Sequence, residues 1–395
     1  MKVYLDHCST TPCDKAVVDK MIPYFTQTFG NADSQHSFGR ETAKVVAEAR
    51  NTIAQLLNCL PNEVYFTASG TEADNWALKG TAIARKHKDG RNKVVISAIE
   101  HHAILNSAEW LKENGYEVVH CPVTKKGIVD LEELEKIVDD NTSLVSVMYV
   151  NNEVGTIQPV EKIAEIAHKH GAYFHTDCVQ AVPYLDVNVK ELGADLVSIS
   201  GHKFYGPKGV GALFIRNGLR IDKLVHGGGQ ERSRRGGTTN TPGVVGMAEA
   251  MKINAVEMQE NNRHIKELRD TFVKKVLEEI PYVYFNGDLD NSVPSVANFS
   301  FEFIEGEGIL MMLDLKGVAV SSGSACSSGS LDPSHVLLAM GVPVELAHGS
   351  IRFSFGKHNT MEEVLYTVDV LKQSIATLRQ MSPLFKLREG EIHNV

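Results

Sequence analysis

The sequence predicts an α/β protein in which a mostly parallel sheet, covered by helices on both faces, is followed by a smaller α+β unit. Two patterns carry this. From about residue 40 to 250, four- to five-residue apolar runs alternate with helical stretches: Val64–Thr67, Val94–Ser97, Leu144–Met148, Ala172–His175, Leu196–Ile199 and Ala212–Ile215. Runs this short and this apolar, separated by amphipathic helices such as 131–138 and 160–170, are strands buried on both faces. After a long polar helix at about 247–280 the texture changes. Strands near 296–303, 317–321 and 350–355 alternate with helices near 307–314, 333–340 and 361–380, as in a small α+β unit. At 395 residues the chain exceeds one ordinary domain. The expected division is a large domain over 16–260 and a small one that joins 1–15 to 261–395.

Composition narrows the function classes. The formal charge is −9, which argues against nucleic acid as an obligatory partner. No apolar run approaches the roughly 20 residues of a membrane span. Met1-Lys2-Val3-Tyr4-Leu5-Asp6 lacks a signal core or a basic presequence. Six cysteines, at 8, 13, 59, 121, 178 and 326, form neither a disulfide framework nor paired metal-ligand spacings, so the expectation is a cytoplasmic protein with free thiols.

Ligands of open parallel sheets sit beyond the carboxyl ends of the strands, so the residues after each run are the candidates. Ser69-Gly70-Thr71-Glu72 offers a tight turn, helix-start N–H groups and the Thr71 hydroxyl to an anion, although an ordinary capping turn uses the same residues. Glu100-His101-His102 follows the next run; His101 is suited to lie over an aromatic ligand and to move protons, with His102 the bystander. No second His or acid stands at zinc spacing, so no metal is expected. Asn151-Asn152 is suited to grip a carboxylate or a ring hydroxyl, or is simply a turn. His175-Thr176-Asp177-Cys178-Val179-Gln180 puts a carboxylate and an amide at a strand end, where the acid can hold a pyridine nitrogen protonated.

Ser200-Gly201-His202-Lys203 decides among these readings. A lysine directly after a strand is badly placed as a surface cation and well placed to form a Schiff base. Asp177 lies 26 residues earlier (203 − 177), at the preceding strand end. A Schiff-base lysine with an acid for the ring nitrogen marks a pyridoxal phosphate (PLP) site. Gly201 and Gly206 have phosphate-loop spacing, but Pro207 stands where that loop requires lysine, so nucleotide hydrolysis is not supported.

Ser321 to Ser330 holds nine Ser, Gly or Ala residues and one other, Cys326. A segment so small and polar should be mobile and accessible, fit to carry a thiolate into a site and out again. An inert linker cysteine is the plainer alternative. Arg352, in the alternating Ser350–Ser354 strand, is polar-out by that alternation, but it also has the fork that holds an amino-acid carboxylate. The basic, glycine-rich segment 226–238 is either a phosphate-approaching loop or surface.

With these residues in view the chain resembles cysteine desulfurases of the NifS/IscS type, in the class V (aspartate-aminotransferase-like) PLP fold, from Tyr4-Leu5-Asp6 to Ser350–Ser354. The resemblance implies a seven-stranded large-domain sheet and conversion of L-cysteine to L-alanine, with a persulfide left on Cys326. By resemblance Lys203 is the Schiff-base lysine, His101 stacks on the ring, and Asp177 and Gln180 meet its nitrogen and oxygen. Gly70, Thr71, Ser200 and His202 correspond to the phosphate cradle, joined by Thr238 from a second subunit of a homodimer. Asn152 and Arg352 correspond to groups near the substrate carboxylate. The long loop at about 321–333 resembles that of the first desulfurase group, and the Arg-x-Gly-His-His-Cys pattern of the second is absent. The implied acceptor is an iron–sulfur scaffold or a tRNA-thiolation protein, and Cys326 is a candidate transient ligand to a partner's cluster. Departures cluster near the expected site: His7-Cys8-Ser9 in the N-terminal motif, Ala32 after Gly30-Asn31, and Cys178 where alanine is usual beneath the cofactor. The rival readings are a class V aminotransferase, a selenocysteine lyase and, least supported, a non-enzymatic sulfur or cluster adaptor.

Overall fold

The computed structural model describes residues 1–322 and 332–392. Its strands are β1 (Val3–Tyr4), β2 (Val64–Thr67), β3 (Lys93–Ser97), β4 (Glu117–Cys121), β5 (Thr142–Ser146), β6 (Tyr173–Asp177), β7 (Leu196–Ser200), β8 (Gly211–Ile215), β9 (Val283–Asn286), β10 (Val296–Phe301), β11 (Val318–Ala319) and β12 (Ser350–Ser354). Seven form one sheet in the order β2-β8-β7-β6-β5-β3-β4. Strands β3 to β7 pair in parallel, and β8 opposes both its neighbours. The six apolar runs of the sequence all became strands of this sheet. The seventh, β4, escaped because it is an edge strand with Glu117 and His120 exposed, so it lacks a continuous apolar run.

Alternation along the strands feeds two apolar layers. Val95, Val145, Val197 and Phe214 enter the larger core, while Val94, Ile96, Leu144, Leu196, Leu213 and Ile215 pack with Trp76 and Leu111 on the other face. The long helix runs over Thr241–Glu279, starting earlier than the sequence pattern indicated. Asn240 caps it by accepting the Gly243 N–H at 3.1 Å, and a proline occupies its first turn. Near its far end Phe272 packs on Phe353 and Phe355, with ring centroids 4.7 and 5.5 Å away. Phe353 belongs to the antiparallel sheet β12-β10-β9, so this helix ties the two sheets into one core.

The N-terminus enters the same region. β1 pairs in parallel with β11, and Asp6 bridges to Ser354. The chain then crosses to the turn after β7, where the Thr11 N–H donates to the His202 carbonyl at 3.1 Å. This crossing carries Cys8 and Ser9 over the carboxyl ends of the parallel strands. Among the described residues no helix is long and apolar enough to cross a membrane.

Candidate active site

A cavity of about 330 Å³ opens at the strand ends. Its lining includes Gly70, Thr71, His101, Asn152, Asp177, Gln180, Ser200, His202, Lys203 and Arg352. Ten residues singled out from the sequence therefore converge on one space. Thr238 does not line it and is exposed. Cys326 lies outside the described residues.

One wall is made where β2 turns into a helix. Ser69 caps this start, its hydroxyl accepting the Glu72 N–H at 3.1 Å. The helical stretch Gly70–Asn75 continues through a π turn, Trp76–Gly80, into Thr81–Asp89. Space at its first residue is tight: a Cβ on Gly70 would lie 2.9 Å from Val179 Cγ2 and 3.3 Å from Ser200 Cβ. Glycine is required there for the helix start to face the cavity so closely.

Lys203 ends the short turn Gly201–Lys203 after β7. Its ammonium donates to the carbonyls of Cys8 and, at 2.9 Å, Ser9. Gln180, which the resemblance assigned to a ring oxygen, gives its amide to the same Cys8 carbonyl at 2.9 Å. Asp177 terminates β6 and accepts the Val179 N–H at 2.8 Å. Burial pushes its carboxyl up to about 6, against the opposing pull of that hydrogen bond and of Lys203. His101 is lowered to about 4, chiefly by burial and then by the charge of Lys203 and by His102 and His335. Its Nδ1 accepts the Ala103 N–H at 3.1 Å, so the neutral ring carries its proton on Nε2. His202 is likewise lowered to about 4 by burial, then by Lys203 and Lys208, and shares a proton with the Thr10 hydroxyl at 3.1 Å.

Arg352, in the middle of β12, is buried at the opposite wall. It donates to the Asn152 carbonyl at 2.8 Å, to Asp6 at 3.0 Å and to the Ser9 hydroxyl at 2.9 Å. Among the described residues its Nε has no hydrogen-bond partner. Of the two asparagines, Asn151 builds the turn, accepting from Glu153 and Val154 and donating to the Ile99 carbonyl, while Asn152 lines the cavity.

The adjacent Glu153 is buried, and its carboxylate accepts the Ser334 hydroxyl at 2.5 Å. Burial pushes Glu153 up to about 7, against Ser334 and Arg352. A raised carboxyl favours the folded state with its proton on. That contribution is full below about pH 4.5 and is lost as the pH climbs to about 7. Glu153→Gln does not titrate, so its stability relative to wild type is expected to rise by up to about 3 kcal/mol between about pH 5 and pH 8. Urea unfolding at both pH values checks this, and a difference that ignores pH contradicts it.

Three polar lining residues had been given no role in the sequence: Cys8 and Ser9, which belong to the departures clustered near the expected site, and Asp74. Cys8 and Ser9 reach the cavity through the N-terminal crossing, which no local pattern announces. Asp74 lies three residues past Thr71, in the second turn of the helix that Gly70 starts, and no motif in the sequence marks it. Cys178, expected beneath the ring, is fully buried in the core while Val179 lines the cavity. β6 ends at Asp177 and the chain turns, which puts Asp177, Val179 and Gln180 on the cavity and Cys178 in the core.

This donor set fits PLP. It offers an amine, a strand-end acid, a neutral imidazole, and a helix start flanked by the Ser200 hydroxyl, brought close to the cavity because Gly70 carries no Cβ. A model of the aminotransferase class-V family matches residues 3–366, and the chain belongs to that family. Within it, the chain is 49% identical to the cysteine desulfurase IscS of Dictyoglomus turgidum over 382 residues, covering 97% of this chain and 96% of that one. A solved NifS-like protein superposes with a TM-score of 0.90 at 39% identity, covering 96% of this chain and all of that one. A structure described as SspA in complex with cysteine superposes at 0.79 with 33% identity, covering 91% of this chain and 100% of that one.

Proposed function

We propose that the protein is a PLP-dependent cysteine desulfurase that converts L-cysteine to L-alanine and collects the sulfur as a persulfide on Cys326. The observation that carries this reading is the meeting of Lys203, Asp177 and Arg352 in one cavity. An amine, an acid and a carboxylate fork are the three groups that PLP chemistry on an α-amino acid requires.

PLP, when bound, supplies the electron sink for breaking bonds at the amino acid. The chain's own residues do the rest. Lys203 would hold the cofactor and move the substrate Cα proton. Asp177 would set a negative charge by the ring nitrogen. His101 would lie against the ring and presents Nε2–H as a donor; to deliver a proton it must first take one on Nδ1, giving up the Ala103 cap. Gly70, Thr71, Ser200 and His202 would take the phosphate, with Thr238 reaching the site of a second copy of this chain. Arg352 and Asn152 hold the substrate carboxylate. The Cys326 thiolate attacks the substrate sulfur, the carbon–sulfur bond breaks, and the carbon fragment leaves as alanine once protonated.

The anchoring of the Cys326 segment supports its part in this. Ser321 exchanges both backbone hydrogen bonds with Arg352, at 3.2 and 2.7 Å. Cys326 is five residues farther along (326 − 321), a contour of at most about 18 Å. On the far side the chain is tied down by Ser334 on Glu153. The persulfide would pass to a cytoplasmic acceptor protein such as an iron–sulfur scaffold.

The reading is tested by incubating the PLP-loaded protein with L-cysteine and a thiol reductant. Alanine and sulfide are expected in equal amounts without any keto acid. Turnover that requires a keto-acid acceptor and releases no sulfide would establish an aminotransferase instead. Faster turnover of selenocysteine in parallel would make the protein a lyase for that substrate.

A further inference from the structure

Two carboxyls line this cavity, and the reaction described above uses only one. Asp74 stands in the helical stretch Gly70–Asn75, is 2% exposed, and lines the cavity together with Asp177. Among the described residues its Oδ1 has no hydrogen-bond partner. The basic group facing it is His175, with Nε2 3.8 Å away. That imidazole is no counter-ion: burial lowers it to about 3, and its two nitrogens are spanned between the Ser146 hydroxyl at 2.8 Å and the Ser198 hydroxyl at 3.0 Å. Ser198 is also within hydrogen-bonding reach of Asp74. Asp177 is better provided, with the Val179 N–H at 2.8 Å and the positive charge of Lys203. A third acid, Glu100, is buried nearby, with Ser97 and the Met148 N–H on one oxygen and nothing on the other.

Adjacent carboxyls in a space screened from water do not both ionise, and the better-solvated one keeps the charge. We propose that Asp74 is a proton-holding positioning residue: it stands as the neutral acid beside Asp177, so the pair carries one negative charge and that charge rests on Asp177. Burial and the Asp177 charge both act on Asp74 in this direction. Burial likewise holds Glu100 up to about 8. On this assignment Asp177, which has the Val179 N–H and the charge of Lys203 to hold an anion, is the one of the three that carries the charge near neutral pH. One anion balances one protonated ring nitrogen, whereas two or three would tie the ring proton too tightly to share and would repel a substrate carboxylate. The neutral Asp74 carboxyl also has a proton to donate along the Ser198–His175–Ser146 chain, which fixes the imidazole tautomer behind the floor of the cavity.

The functional consequence rests on reading the cavity as a PLP site, but the protonation state belongs to the chain and is measurable without cofactor. Neutron diffraction on deuterium-exchanged full-length protein at neutral pH is expected to show a deuteron on the Asp74 carboxyl and none on Asp177. A deuteron on Asp177 instead, or on neither, overturns the proposal. In solution, the infrared spectrum of protein labelled with ¹³C-aspartate is expected to contain one label-shifted carboxylic-acid C=O band at neutral pH. Absence of any labelled acid band overturns it equally. Neither measurement needs a variant that folds. Failure of the same preparation to bind PLP would sink the functional reading and leave the assignment of the proton untouched.

Discussion

Lys203→Ala is expected to abolish covalent retention of PLP and to lower alanine formation from L-cysteine by about 10⁴-fold or more, the upper end of what a positioned acid–base residue contributes. Among the described residues Lys203 is the single lysine that lines the cavity, and none of the others there supplies a primary amine for either of its tasks. The variant should fold. Its loss leaves the Ser9 carbonyl without that donor, while the Cys8 carbonyl keeps the Gln180 amide, a cost of about 1–3 kcal/mol. The check is the visible absorption of the purified, PLP-loaded protein together with alanine release. A Lys203→Ala protein that retains cofactor through denaturation, or keeps turnover within about tenfold of wild type, contradicts the assignment.

Cys326→Ala is expected to keep the cofactor and its absorption yet to lose sulfide release by about 10³-fold or more, as removal of a nucleophile does. The argument for Cys326 is partly one of elimination. Five cysteines fall among the described residues, and all five are free thiols. Burial pushes Cys59 and Cys121 up to about 12 and raises Cys8, Cys13 and Cys178 as well. Thiols held this way are poor nucleophiles at neutral pH. Cys8 is the nearest competitor because it lines the cavity, but it is fully buried and its N–H is tied to the Ser354 hydroxyl. A Cys8→Ala variant is therefore the control that keeps sulfur transfer while Cys326→Ala loses it. Sulfide release by Cys326→Ala at the wild-type rate would contradict the role.

Much of this was legible in the chain. Strands buried on both faces announce themselves as short apolar runs, so six strands of the large sheet and the residues at their ends were found together. Lys203 and Asp177 stood out because each is a charged group where a buried strand stops. The edge strands β4 and β9 were missed, since a strand that buries one face or none leaves only a weak signal. Cys8 and Ser9 were noted near the site only through the resemblance, because their place in the cavity depends on pairings such as Val3 with Val318 and Thr11 with His202, which join residues far apart in the chain. Asp74 lies locally, in the helix directly after β2, and was missed because nothing in its spacing marks it. Cys178 went the other way: its sequence neighbours line the cavity, while the turn that follows β6 leaves its own side chain in the core. The role of Thr238 depends on a second copy of the chain and stays a proposal.

The central claim is that substrate sulfur moves to one particular thiol. It is tested most directly by a single turnover of the PLP-loaded protein with substoichiometric L-cysteine and no reductant, followed by alkylation and peptide mapping of all six cysteines. One added sulfur on the Cys326 peptide, matched by one alanine released, is the predicted result. Alanine released with the extra sulfur on Cys8, or on no cysteine at all, would contradict the account.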